Sequence, residues 1–185
     1  MSSTTAFLLD ADSIIHLHSL GLIESLCSAL QAKQIEAHCT RYVWEHELST
    51  LQAVRARLTA AGLQVHTLQP QSPAGKAFKQ LLKERGNPGR NSKGEHELIA
   101  FAQHEPVSIT LVARDDGARK VASSYRISAI DIATFICELM ALGALTESAA
   151  REATSCWDNP QAGNGRPKGY AGFDSLLTSW RSRRA

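Results

Sequence analysis

Acidic side chains recur in this sequence at positions where strands are predicted to end or helices to begin. Some follow short apolar runs of the chain, and others occur as glutamate pairs in segments with helical periodicity. Carboxylates in such places can share protons, bind cations or cap helices, so their spacing decides which chemistry is open to them. The acids concerned are Asp10 and Asp12 after the run Thr5–Leu9, Asp115 and Asp116 after the run Val107–Val112, and the pairs Glu45 with Glu47 and Glu95 with Glu97.

Helical geometry selects one member of each glutamate pair. Residues two apart point about 200° apart on an α-helix, so only one of the two can face a shared site. Glu47 is predicted to lie on the apolar stripe of its helix and Glu45 off it. Glu95 is predicted to lie on the apolar stripe of the next such helix, and Glu97 on the polar side. The apolar positions concerned are Val43, Leu51, Val54 and Leu58 for Glu47, and Leu98, Ile99 and Ala102 for Glu95.

The selected acids would form one negatively charged site if folding brings Asp10, Glu47, Glu95 and Asp115 together. Two carboxylates about 4 Å apart repel by about 4 kcal/mol at an effective dielectric constant of about 20. Either their pKa values rise or a cation binds between them. Oxygen ligands suit Mg²⁺ or Mn²⁺. Such an ion next to basic residues fits the hydrolysis of a phosphodiester, in which it activates water and neutralises phosphate charge.

Each of these acids also has a structural explanation. Asp10 could accept backbone N–H bonds in a turn, Asp116 could cap a helix, and Glu47 could be exposed on a rotated helix. Ser92 with Glu95 matches the S-x-x-E capping box. Together, however, the acids fall where α/β proteins place their ligands, outside the carboxyl ends of the strands, and this favours a shared site.

Basic residues supply candidate phosphate contacts. Arg90 and Lys93 closely precede Glu95 and are the choice for substrate binding. A solvated helix face explains the lysines of residues 76–83 equally well, because they have helical spacing. The arginine-rich C-terminal segment could bind RNA, an acidic partner or nothing.

Strand-like and helix-like segments alternate along most of the chain. This alternation predicts the α/β class, with a mostly parallel sheet covered on both faces. Gly62 is predicted to end the long second helical region. The predicted strands are 5–9, 35–39, 63–68, 107–112 and 127–130, and the predicted helices are 13–33 with a break near Gly21, 41–61, 74–84, 92–103, 115–124, 132–142 and 173–180.

Length and composition limit the remaining possibilities. The 185 residues, 43% of them hydrophobic, suit one domain over 1–145 with a helical and Gly/Pro-rich extension over 146–185 that ends in a basic tail. No apolar run reaches the roughly 20 residues of a membrane span, and no leader pattern is present, so a cytoplasmic protein without a membrane partner is expected. The histidines show no metal-ligand spacing. Tyr42 and Trp44 are too few for a base-stacking platform.

Four segments in order resemble the PIN-domain nucleases, which include the VapC toxins of toxin–antitoxin modules. They are FLLDADSIIHL, YVWEHEL, GEHELIAFA and LVARDDGARKVA, and they extend over roughly residues 5–140. The resemblance implies a three-layer α/β/α sandwich, dependence on Mg²⁺ or Mn²⁺, and endoribonuclease activity that leaves a 5′-phosphate and a 3′-hydroxyl. An RNA substrate, an antitoxin protein and a homodimer are the partners it implies.

The resemblance also assigns roles to residues. Asp10, Glu95 and Asp115 are similar to family metal ligands, with Asp116 as an auxiliary acid. Glu47, rather than Glu45, is similar to the remaining catalytic acid, and Arg119 to an arginine of one branch of the family, here a candidate substrate contact. The chain is longer than a compact toxin because of the segment after Gly143. Two alternatives to the nuclease stay open: a catalytically inactive PIN-like module that binds RNA or protein, and a phosphatase using Asp10-Ala11-Asp12.

Overall fold

The central feature of the protein is a five-stranded sheet. A computed structural model describes residues 5–84, 93–105, 108–159 and 165–184. The strand order is β3-β2-β1-β4-β5, and all four neighbouring pairs are parallel, so the expected α/β/α sandwich is confirmed. The strands are β1 (Thr5–Leu9), β2 (Ile35–Thr40), β3 (Gln64–His66), β4 (Ile109–Val112) and β5 (Ser128–Ile130).

Nine α-helices in the described ranges connect and cover these strands. Most follow the predicted bounds closely, and the break at Gly21 and the end at Gly62 are confirmed, both glycines having positive φ angles. The helices are α1 (Ala11–Ser19), α2 (Ile23–Gln31), α3 (Gln52–Ala61), α4 (Pro73–Glu84), α5 (Lys93–His104), α6 (Asp116–Ser124), α7 (Ile132–Ala141), α8 (Glu147–Thr154) and α9 (Phe173–Ser182).

The prediction of one long helix over 41–61 is wrong. The chain leaves β2 in a helical turn that widens into a π turn over Val43–Glu47, where the Leu48 N–H donates to the Val43 carbonyl at 3.0 Å. It then bends, and α3 begins at Gln52. The hydroxyl of Ser49 donates to the His46 carbonyl at 3.0 Å, one of the local bonds by which serine competes with helical pairing. Leu48 is meanwhile fully buried in the core.

The C-terminal extension packs on the same core as the sheet. Trp157 is completely buried and stacks on His16 of α1, with ring centroids 5.6 Å apart. Tyr170 and Phe173 are buried in the same hydrophobic cluster as the strands. The division of the chain at residue 145 stays a prediction.

The α-helices in the described residues are short, the longest having 12 residues. No single helix there is both long enough and apolar enough to cross a membrane, and α1 and α2 pass that test only as a pair bent by 112°.

Candidate active site

The sheet order creates a crevice at the carboxyl ends of β1 and β4. The chain leaves β1 towards β2 on one side, whereas β4 lies on the other, and open α/β sheets bind ligands at such a reversal. Leu9 pairs with Val112 in the register, and the Asp10 N–H donates to the Val112 carbonyl at 3.2 Å. The residues that follow the two strands are therefore neighbours.

A pocket of about 900 Å³ opens at this edge of the sheet. It brings together all four acids that the sequence selected, although they come from separate parts of the chain. Its acidic lining residues are Asp10, Asp12, Glu47, Glu95 and Asp115. The lining of the pocket also includes Ile15, Tyr42, His46 and Lys93.

Asp10 caps the N-terminus of α1 and also faces the pocket. Its Oδ1 accepts the Ser13 N–H at 2.6 Å, while the Ser13 hydroxyl donates to the Val112 carbonyl at 3.0 Å and ties α1 to β4. Burial raises the pKa of Asp10 from 3.8 to about 7, against the hydrogen bonds from Ser13, with a smaller contribution from the charge of Asp12. The structural role and the chemical role are compatible, because capping uses one oxygen of the carboxylate.

Glu47 lines the pocket, and the missing side chain of Gly94 leaves room for its carboxylate. Burial raises its pKa from 4.5 to about 7, and the charges of Asp10 and Asp12 raise it further, while the Gly94 N–H lowers it by donating a hydrogen bond. A methyl group on Gly94 would lie 2.5 Å from Oε1 of Glu47. Asp10 and Glu47 are thus neighbouring carboxyl groups that together resist ionisation.

The assignment of faces on α5 is partly wrong. Glu95 lines the pocket, as the apolar-stripe argument requires, but it is only half-buried. Glu97 is not on a polar face: it is 7% exposed and its Oε2 accepts the Tyr42 N–H at 2.9 Å. The reason is that α5 packs between the sheet and α4, which buries the continuous stretch His96–Phe101. The four apolar residues of that stretch were the signal in the sequence that this helix has no polar side there.

Asp115 lies at the other wall of the pocket. It is exposed, and its Oδ2 accepts the Ala118 N–H at 3.0 Å, so it is the N-cap of α6. Like Asp10, it combines a cap with a position in the pocket lining.

Asp116 and Arg119 point elsewhere. Asp116 is not part of the pocket lining, and it forms ion pairs with Lys120 at 3.0 Å and Lys168 at 3.5 Å. These cations, Lys120 foremost, lower its pKa. Arg119 donates to the backbone carbonyls of Ala113 at 2.7 Å and Arg114 at 2.8 Å, so the structure uses it to hold the turn before α6.

Of the predicted phosphate contacts, Lys93 lines the pocket at the start of α5. Arg90 and Ser92 lie outside the described residues.

The pocket suits a hydrated cation better than an enclosed one. Over the described ranges, no group of three or more His, Cys, Asp or Glu residues is arranged to hold a metal ion. The donors are nevertheless all carboxylate oxygens, and the Asp10 and Glu47 pair carries raised pKa values that a nearby cation would lower. Mg²⁺ commonly keeps several waters and binds only one or two carboxylates directly, so a carboxylate-lined pocket of this kind fits it.

One wall of the pocket was missed by the sequence reasoning. Tyr42 and His46 pack with ring centroids 4.7 Å apart, and Ile15, which also lines the pocket, is 41% exposed. Tyr42 was considered only together with Trp44, which is buried. The contribution of His46 and Ile15 depends on the fold.

Comparison with known proteins does not assign the chain to a family. No family model matches the chain, and no curated protein matches it.

Proposed function

We propose that the protein is a metal-dependent endoribonuclease resembling the PIN-domain nucleases. The observation that carries this proposal is the single pocket lined by Asp10, Glu47, Glu95 and Asp115, next to Lys93. Clustered carboxylates with a neighbouring cationic side chain suit phosphodiester hydrolysis, because the reaction needs both a nucleophilic water and charge neutralisation at the phosphate.

The roles follow from position and protonation. Asp10, Glu95 and Asp115 would hold Mg²⁺ or Mn²⁺, directly or through water, with Asp116 outside this set because lysines occupy it. When bound, such an ion supplies charge stabilisation at the phosphate and acidifies a coordinated water. Burial raises the pKa of Glu47 to about 7 in the metal-free protein, and a bound cation would lower it, so that Glu47 could orient a water molecule and accept its proton. Lys93 would contact the phosphate.

Cleavage of RNA tests this proposal. Wild type should cut a generic single-stranded RNA with Mn²⁺, and Asp10→Asn and Asp115→Asn should lower the rate by at least about 100-fold. Glu45→Gln is a matched control, because Glu45 is exposed, pairs with Arg41 and does not line the pocket. Equal cleavage by all four proteins would reject the assignment.

A second candidate is a catalytically inactive module that binds RNA or a protein. The observation in its favour is that no described group of three ligand-type residues is arranged around a metal position. RNA affinity that persists in EDTA, without any turnover in Mn²⁺, would support this module over the nuclease.

The proposal extends to the setting of the protein. A toxin role in the cytoplasm, an antitoxin partner and a homodimer follow from the resemblance. A small protein encoded next to this one, which binds it and blocks RNA cleavage, would support the toxin role. Sedimentation of the purified chain at micromolar concentration would decide between monomer and dimer.

A further inference from the structure

The π turn determines which side chains share the pocket with the catalytic candidates. On a regular α-helix, residues five apart point about 140° apart. A π turn closes between residues five apart and brings them onto one face. Tyr42 and Glu47 are five apart, and they line the same pocket together with His46. The widened turn therefore brings Tyr42 and the candidate catalytic carboxylate of Glu47 towards one side, while His46, four residues after Tyr42, follows its ring.

These rings form part of an open surface. Tyr42 is half-buried and His46 is exposed, with their ring planes 46° apart. Ile15, on the first turns of α1, adds an apolar side chain to the same lining. Among the described residues, Ile15 and Val65 are the two large hydrophobic side chains classed as exposed. The aromatic wall, defined as Ile15, Tyr42 and His46, thus adds aromatic and apolar side chains to a pocket that is also lined by carboxylates.

The chemistry of the lining selects the occupant. A second anionic group would be repelled by Asp10, Asp12 and Glu47, which line the same space. A purely aliphatic group would leave those carboxylates without hydrogen-bond donors. A nucleobase satisfies both demands, because it has a flat face that stacks on aromatic rings and, in three of the four bases, an exocyclic amino group that donates to a carboxylate.

We propose that Ile15, Tyr42 and His46 bind one unpaired nucleobase beside the scissile phosphate. This inference rests on the proposed function, since it names the part of that substrate which the wall contacts. A base held in a duplex presents neither face to a side chain, so the wall selects nucleic acid whose base is unstacked at this position.

Binding measurements separate the wall from the catalytic acids. The parent protein carries Asp10→Asn, so that the probe is not cut, and the probe is a fluorescein-labelled single-stranded RNA followed by fluorescence anisotropy in Mg²⁺. Tyr42→Leu with His46→Ala removes both rings and keeps apolar volume at position 42. His18→Ala is the matched control, because His18 is an exposed histidine of α1 outside the pocket lining.

The expected result is a loss of affinity of at least about fivefold for the wall variant, and no change for the control, because stacking on an aromatic side chain contributes measurably for each base. A series of probes with one abasic position each should contain one that binds the parent as weakly as the intact probe binds the wall variant. On that abasic probe, the parent and the wall variant should be equal.

Three outcomes would overturn the inference: no binding by the parent, equal affinity of the parent and the wall variant for the intact probe, or an equal loss on intact and on all abasic probes. Cleavage by the wild-type protein is read separately. Base-dependent binding by a protein that does not cut RNA would support the wall and reject the proposed nuclease function. RNA cleavage without base-dependent binding would support the proposed nuclease function and reject the wall as a base-binding site.

Discussion

Replacing Asp10 by asparagine should stabilise the metal-free protein at alkaline pH. Asparagine is nearly isosteric with a protonated aspartic acid, and it can still accept the Ser13 N–H as the cap of α1. What the substitution removes is the cost of ionising a carboxyl group beside the other acids of the pocket. Stability and catalytic competence are thus opposed at this position, as is common in active sites.

The magnitude follows from the pKa of Asp10, which rises from 3.8 to about 7 on folding. Below pH 3.8 the carboxyl is protonated in both the folded and the unfolded chain, so asparagine gives no advantage. Between pH 3.8 and 7 the unfolded chain ionises first, and the wild type loses stability relative to the variant. Above pH 7 the full difference is present, about 4 kcal/mol at roughly 1.4 kcal/mol per pKa unit. The Asp10 side chain is partly open to solvent, so this figure is an upper limit.

Denaturation by urea in EDTA, at pH 4.5 and at pH 8, measures this difference. The free energy of unfolding of Asp10→Asn minus that of wild type should grow by up to about 3 kcal/mol between the two conditions. Asp131→Asn is the matched control, because Asp131 caps α7 in the same way, with its Oδ1 accepting the Thr134 N–H at 2.7 Å, and it lies outside the acidic pocket. Adding Mg²⁺ at pH 8 should stabilise wild type and reduce the gap.

An advantage of Asp10→Asn that is the same at both pH values would refute the reasoning, because a buried, ionisation-resistant carboxyl must give a pH-dependent term. If Mg²⁺ leaves the stability difference between Asp10→Asn and wild type unchanged at pH 8, Asp10 is a buried carboxyl group that does not bind the metal.

Three further predictions concern the groups that hold the site in place. Gly94→Ala should lower RNA cleavage at least tenfold, because its methyl group would displace the Glu47 carboxylate; an unchanged rate would mean that Glu47 can move without consequence. Glu97→Ala should cost about 1–3 kcal/mol of unfolding free energy in urea by leaving the Tyr42 N–H unpaired, while Glu97→Gln keeps an acceptor and retains most of it; equal losses would point to the charge instead. Nε2 of His66 lies 2.9 Å from Nδ1 of His38 on β2, and burial lowers the pKa of His66. Protonation of His66 therefore favours the unfolded chain, and the free energy of unfolding should fall as pH drops below about 6.5. His66→Gln should reduce the decrease in Tm between pH 7 and pH 5, and an identical decrease would exclude His66 as its source.

Local pattern in the sequence was enough to locate most elements. The apolar run of β1, the break at Gly21 and the cap before α6 are each decided by residues next to one another, so their physics is local. The alternation of these elements was enough to predict the α/β class and a mostly parallel sheet. The order of the strands within that sheet was set by the tertiary structure.

The errors arose where a distant contact overrides local pattern. The segment after β2 has helical periodicity, yet it forms a π turn and a bend, with Leu48 fully buried in the core. Glu97 has a polar side chain in a helix and was placed on a solvated face, but the packing of α4 against α5 leaves no such face. Neither partner is visible from the sequence around the residue concerned.

The sequence by itself determined the acids, their order along the chain, and their positions at the ends of strands and starts of helices, because strand ends and caps depend on short-range geometry. Only the tertiary structure decided that Asp10, Glu47, Glu95 and Asp115 share a pocket, that Asp116 is occupied by lysines, and that two rings stand beside Glu47. The physical reason is that convergence depends on strand order, register and helix packing, which are set by burial across the whole core rather than by neighbouring residues.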